Sequence, residues 1–377
     1  MHIAFWLLIA LVVFAYFGYP LLLAVAVRVV RRAPTKDDIT PLVTLLVPAY
    51  NEEQALGPKL ESCLALDYPE GQLQVLVLCD GCTDGTATVA ASFADRGVEV
   101  AAFQENRGKL AVLADGLGMA RGEIVAFSDA ASRLEADSMR KLVRGFADPA
   151  VGCVSGVYRV LRPETARLGG EEGFYWRYET LIKRCESNLG SILGAHGSLY
   201  AIRKELCPDL SLIRVNDDYE IPVHIVAGGH RAVYEPEAVA CEEATEMGGF
   251  ARRVRIAVGN YRQLRLLGLL LWPLRPWLLV EFLSHKVLRL AGPWCLLGAL
   301  ALNVFLPGPL YTGLLVAQGL FYALALAGWL MGARRAALPL VKLPYYFCMI
   351  NAAYLVGFVR LLTTRGRVRW NAPEKGA

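Results

Sequence analysis

The chain has 377 residues, room for one large domain with additions. A hydrophobic share of 55% and a mean hydropathy of +0.38 exclude an ordinary soluble enzyme. The net charge of +4 is modest and much of the basic excess lies beside the apolar ends, which suits a membrane surface better than nucleic acid.

Residues 3–27, "IAFWLLIALVVFAYFGYPLLLAVAV", carry no charge and exceed the roughly 20 residues that span a bilayer. The run lacks a preceding Lys or Arg and is too long for a signal-peptide core, so a retained span is expected. Arg28, Arg31 and Arg32 follow it, which places the N-terminus outside and the next domain in the cytoplasm of a plasma (inner) membrane protein.

Residues 41–240 read as an α/β unit. The runs "VTLLVPAY" (43–50), "LQVLVLC" (73–79) and "EIVAFSD" (123–129) suit buried strands of a mostly parallel, Rossmann-like sheet. Helices are expected after Asn51-Glu52-Glu53, after Thr83-Asp84 and from about Lys109 to Met119. This alternation puts ligands at the carboxyl ends of the strands, where Asp80 and Asp129 fall.

From about residue 262 the texture changes. Residues 266–283, with Trp272, Trp277, Arg275 and Glu281, read as interfacial. Three apolar runs follow at 290–306, 310–332 and about 336–359, then a tail with Arg360, Arg365, Arg367, Arg369 and Lys375. Three crossings would leave that tail outside, whereas its charge says inside. The last run holds Pro339, Lys342, Pro344 and Asn351, which leaves a re-entrant or interfacial course open. The expected organisation is a membrane helix and basic flank (1–35), the α/β domain (41–250), basic and interfacial helices (251–289) and C-terminal membrane segments with the tail (290–377).

The stretch "VLCDGCTDGT" (77–86) admits three chemistries. Cys79 and Cys82 form a CxxC, but no second CxxC or paired histidines complete a zinc site, and a cytoplasmic domain keeps thiols reduced. A calcium loop fails because Cys82 replaces an oxygen ligand and Ala91 stands where the terminal Glu belongs. The third reading is a strand end that delivers Asp80 to a nucleotide.

That reading gains from its surroundings. "VTLLVPAYNEE", "VLVLCDGCTDGT", "ENRGKLAVLADG", "IVAFSDA", "GAHGSLYAIRKEL" and "NDDYEIPVHIVAGGHRAVYEPEA" follow in one order, with "RRVRI" at 252–256. This series resembles the family 2 glycosyltransferases of GT-A fold over roughly residues 41–260. The flanking spans fit the membrane-bound branch that includes ceramide glucosyltransferase-like and cellulose, chitin and hyaluronan synthase-like enzymes.

The resemblance implies that Tyr50 and Glu52 meet uracil and that Asp80 and Lys109 hold the nucleoside. Acids at 52 and 53 also suit the first turn of any helix. Asp129 matches the first acid of the family's DxD motif, which holds Mg²⁺ or Mn²⁺ with the donor diphosphate. The second acid falls at Ala131, and Ser132 nearby is a poor substitute. Asp218 matches the catalytic base, with Asp217 beside it. Arg252, Arg253 and Arg255 fit a diphosphate clamp, or a basic helix face against anionic lipid. Ile256 replaces the tryptophan of processive synthases, and His196 lies where an acceptor would sit.

The expected protein is an integral membrane, inverting enzyme. It would move a sugar from a UDP-sugar to a lipid or lipid-linked saccharide, with a divalent metal and no nucleic-acid partner. The alternatives are a processive exopolysaccharide synthase and a catalytically silent membrane subunit; the sequence specifies no partner subunit. Replacing both Cys79 and Cys82 with Ser is expected to leave UDP binding within a few-fold, while Asp80→Ala weakens it sharply. Stoichiometric zinc, lost with the cysteines, would restore the zinc reading.

Overall fold

Strand β1 (Val43–Ala49) is buried along its whole length, as a strand covered on both faces must be. It sits between β2 (Leu73–Asp80) and β4 (Ile124–Phe127), parallel to both, and β3 (Val98–Phe103) continues the parallel set beyond β2. The full sheet has eight strands in the order β3-β2-β1-β4-β7-β6-β8-β5. Its second half is mixed. β7 (Tyr200–Arg203) runs antiparallel to β4 and to β6 (Val151–Leu161), β6 pairs in parallel with β8 (Arg231–Glu243), and the short β5 (Arg133–Leu134) runs antiparallel to β8. The computed structural model describes residues 1–161, 170–214, 216–243, 250–271, 275–332 and 338–363.

The three expected helices are present as Glu53–Leu64, Thr86–Ala91 and Lys109–Met119. The helix Glu53–Leu64 turns Leu56, Lys59, Leu60 and Cys63 into the core, the spacing of one helical face. The reversal of β7 sets the geometry of the whole site. Phe127, the last residue of β4, pairs with Tyr200, the first of β7. The segment entering β7 therefore lies at the same edge as the carboxyl ends of β1, β2 and β4.

The described residues divide into two compact units. The sheet unit is drawn from Val27–Pro163 and Thr180–Ala244, the other from Met1–Ala26, Glu164–Glu179 and Thr245–Gly366. Three helices, His2–Val29, Pro309–Leu330 and Pro339–Thr363, are long and apolar enough to cross a membrane. The first contains a π-helical turn at Phe14–Gly18. The run read as a span at 290–306 forms the helix Leu288–Asn303, which is not among those three; it continues from Pro276–Glu281 through a π-helical stretch, Phe282–Val287. The last run, whose course the sequence left open, is one helix of 25 residues. Within this second unit, buried Glu179 lies 3.0 Å from His285 Nε2 and accepts a hydrogen bond from Arg289 Nη1 at 3.1 Å. Trp272 and the basic residues at 365, 367, 369 and 375 lie outside the described residues.

Candidate active site

The loops after β1 and β2 are clipped together. Asn51 adopts a left-handed conformation (φ 55°), donates from Nδ2 to Thr83 Oγ1 (3.0 Å) and accepts the Thr83 amide on Oδ1 (2.9 Å). The Glu52 amide donates to Thr86 Oγ1 at 2.8 Å. Tyr50 and Glu52 are thereby held, half-buried, at the end of β1. Burial, followed by repulsion from Asp129, Glu242 and Asp84, pushes the Glu52 carboxyl up to about 7.

Asp80 is fully buried at the end of β2. Its two carboxylate oxygens accept the backbone amides of Arg107 and Gly108, each at 2.8 Å. The residue expected to touch a nucleoside therefore also shapes the 104–108 loop that leads into the helix starting at Lys109. Gly81 reinforces this grip. At φ +59°, a Cβ there would stand 2.3 Å from the Asn106 amide nitrogen, so the close approach of loop and strand needs glycine.

Lys109 is the cation of the site. Its Nζ donates to Asp129 Oδ1 at 2.9 Å and lies 3.1 Å from Asp217 Oδ1. Burial pushes the ammonium down, but the carboxylates of Asp129, Asp217 and Asp218 outweigh it and hold the group above its ordinary value. Asp217 is buried, and its second oxygen accepts from Tyr200 Oη at 3.0 Å. Tyr200 in turn stacks on Phe127 across the β4–β7 pair, with ring centroids 4.6 Å apart.

Asp218 differs from its neighbour. Both lie in the first turn of the helix Asp217–Ala227, where acids are favoured by the helix dipole. The Asp218 carboxylate and that of Asp129 both face Gly197: a Cβ built there would lie 3.1 Å from Asp129 Oδ2 and 3.3 Å from Asp218 Oδ2. Burial, followed by repulsion from Asp217, pushes the Asp218 carboxyl up to about 7, with Lys109 pulling it the other way. Of the two expected catalytic acids, Asp217 has both oxygens engaged by Lys109 and Tyr200, and Asp218 is the one turned toward Asp129.

Among the described residues no group of three or more His, Cys, Asp or Glu side chains is arranged to hold a metal ion. One half-exposed carboxylate with an oxygen turned away from Lys109 still suits Mg²⁺ or Mn²⁺, which commonly take one or two carboxylates together with substrate phosphates and water. Asp129 fits that part. Ala131 lies in the same turn and supplies no oxygen from its side chain.

The remaining candidates stand as follows. Cys79 is buried and Cys82 half-buried, both free, with Cys82 Sγ donating to Ala49 O at 3.5 Å. His196 is half-buried with its ring against Tyr234. The three arginines lie on the helix Phe250–Gln263, in the second unit. There the Arg253 guanidinium stacks over Tyr346 and donates to its hydroxyl at 3.0 Å, and Arg255 and Ile256 are exposed; the Arg252 side chain lies outside the description. Sequence reading passed over Lys59, a fully buried lysine beneath the turn that carries Asp129. Its signal was present: a lysine in the apolar stripe Leu56, Lys59, Leu60, Cys63.

Residues 44–210 match the model of glycosyl transferase family 2. Poly-β-1,6-N-acetyl-D-glucosamine synthases of Staphylococcus aureus (strain COL) and Staphylococcus epidermidis (strain RP62A) are 27% identical over 232 and 230 residues. In both cases the match covers 59% of this chain and 55% of the relative. The chain thus spans about half the length of these curated relatives. A mannosyltransferase from Pyrobaculum calidifontis, solved in complex with GDP-Man and Mn²⁺, superimposes with a TM-score of 0.71 at 27% identity, covering 95% of this chain and 99% of that one. The ordered motifs, the parallel half-sheet with its reversed β7 and these likenesses agree: residues 44–210 form a glycosyl transferase family 2 domain.

Proposed function

We propose that the protein transfers a sugar, with inversion, from a nucleoside-diphosphate sugar to a lipid or lipid-linked saccharide at the cytoplasmic face of the membrane. The observation that carries this reading is the approach of Asp129 and Asp218 to the open face of Gly197, with Lys109 beside them. The acceptor hydroxyl enters against Asp218. As its oxygen bonds to the anomeric carbon, the bond from that carbon to the diphosphate breaks, the proton passes to the Asp218 carboxylate and the nucleoside diphosphate leaves. Lys109 supplies positive charge next to the departing phosphates, and Asp217 fixes that ammonium in place. Asp129 Oδ2 and the phosphates would hold the divalent ion, which when bound spreads the leaving group's charge. Tyr50, Glu52 and Asp80 line the nucleoside end.

The base of the donor has two candidates. Family resemblance favours uracil, whereas the mannosyltransferase that covers nearly the whole chain was solved with GDP-Man. The acceptor also has two. The curated relatives are polymer synthases, which favours chain extension. Against that, Ile256 offers no flat face for a pyranose, as a tryptophan would. We place the protein with single or few transfers to a membrane acceptor. The deciding experiment gives purified protein a panel of UDP- and GDP-sugars with membrane lipids, limiting acceptor and labelled donor, and sizes the products. One or a few sugars per lipid are expected. High-molecular-weight polymer formed while most acceptor stays unused would establish the synthase reading, and no transfer from any donor would leave a silent subunit.

Two substitutions test the site itself. Asp218→Asn should leave donor binding nearly intact and lower turnover by about 10²–10⁴. Because the base must be ionised and its carboxyl is pushed up to about 7, wild-type kcat/KM should rise as pH increases through that value and then level off. Near-normal transfer by the Asn variant would move the base to Asp217. Gly197→Ala places a methyl group between the two carboxylates. Turnover should fall about tenfold or more while Tm stays within a few degrees, since a small misplacement at a reacting centre costs rate before stability. Full activity in that variant would show that the acceptor approaches elsewhere.

A further inference from the structure

Lys59 occupies a core position of its helix and is fully buried. Its Nζ donates to Ser128 Oγ at 2.5 Å and to the Ser132 carbonyl at 2.6 Å. Among the described residues neither hydrogen-bond partner is a carboxylate: the side-chain nitrogen is held in the core by a hydroxyl and a carbonyl, and burial pushes its pKa down. A charge there is costly to bury, and an apolar residue of similar volume is often as good or better for stability. Around it the hydroxyls of Ser132 and Ser198 are also buried, each without a hydrogen-bond partner. Stability alone does not explain this polar pocket.

Its connections do. Ser128 Oγ passes a hydrogen bond on to the Ser198 carbonyl at 2.5 Å. The Ser132 amide closes the turn on the Asp129 carbonyl (3.1 Å), and the Asp129 amide donates to the Gly197 carbonyl (3.2 Å). Lys59 thus joins the helix Glu53–Leu64, the turn after β4 and the segment before β7, the two places whose spacing sets Asp129 against Gly197. This is also the turn in which Ala131 stands where a second acid is expected. With one carboxylate to hold a divalent ion, an error in its aim has no second ligand to absorb it.

We infer that Lys59 is a positioning residue of the donor and metal site: its buried ammonium locks the 128–132 turn to the Gly197–Ser198 segment so that Asp129 alone can hold a divalent ion with the donor diphosphate. The inference rests on the glycosyltransferase reading above. It also assigns Ser128 the part of a relay between Lys59 and Ser198.

The test uses the full-length purified protein with Lys59→Met and, separately, Ser128→Ala. Mn²⁺ binding is measured by electron paramagnetic resonance with UDP and with GDP present, alongside Tm and the split between kcat and donor KM. Lys59→Met should weaken Mn²⁺ binding in the nucleotide complex by about 10–100-fold, the usual effect of losing a residue that orients a ligand. Metal-free nucleotide binding and Tm should stay near wild type, and donor KM should recover toward wild type at high Mn²⁺. Ser128→Ala should move Mn²⁺ affinity in the same direction by a smaller factor. Unchanged Mn²⁺ affinity in Lys59→Met overturns the assignment, as does a loss that only follows the unfolded fraction. If Lys59→Met does not fold, Ser128→Ala decides, and unchanged affinity there overturns it. Wild-type protein that binds Mn²⁺ with neither nucleotide removes the glycosyltransferase reading and this one together; wild-type binding with unaffected variants removes this one alone.

Discussion

Four carboxylates, those of Glu52, Asp129, Asp217 and Asp218, are gathered at one end of a sheet, and the fold has to hold them together against their repulsion. Two unit charges about 6 Å apart, at an effective dielectric near 20, repel by about 3 kcal/mol. The site meets this with one shared cation and with protonation. Lys109 sits between Asp129 and Asp217, and the carboxyls of Glu52 and Asp218 are pushed up to about 7. The acids therefore differ: Asp129 and Asp217 are paired with Lys109, while burial and neighbouring charge push the carboxyls of Glu52 and Asp218 upward.

The sheet makes the gathering possible through a change of direction. In a purely parallel sheet the strand next to β4 would begin at the far edge, away from the carboxyl ends. Because β7 is antiparallel, Gly197 and Ser198 arrive beside Asp129, and Tyr200 is placed to pair with Phe127 and to donate to Asp217. One strand reversal thereby couples the turn after β4 to the helix Asp217–Ala227. At the site itself, small residues are needed where backbones or carboxylates approach closely, as at Gly81 against the 105–106 backbone and at Gly197 beside the acids.

The second unit bears on where such chemistry occurs. It holds three helices long and apolar enough to cross a bilayer, and a buried Glu179 paired with His285 and Arg289. The basic, amphipathic helix Phe250–Gln263 belongs to that unit, with Arg253 already engaged by Tyr346.

By itself the sequence determined what depends on local pattern. Short Val, Ile and Leu runs marked β1, β2 and β4, turn residues marked the helices that follow them, and long apolar runs marked the three helices long and apolar enough to cross a membrane, because hydrophobic burial writes its period directly into the chain. The order of the motifs identified the family and named Asp129, Asp217, Asp218 and Lys109. Strands β3, β5, β6, β7 and β8 went unread, since a strand in a mixed sheet is defined by its neighbours more than by its own composition. Only the tertiary structure decided which aspartate is bound to Lys109 and Tyr200 and which faces Gly197, for adjacent acids look alike until a helix start turns them apart. It also revealed Lys59 under the turn of Asp129. The helical stripe Leu56, Lys59, Leu60, Cys63 marks this lysine as a core position, but its partners lie 69 and 73 residues away, and no local pattern names them.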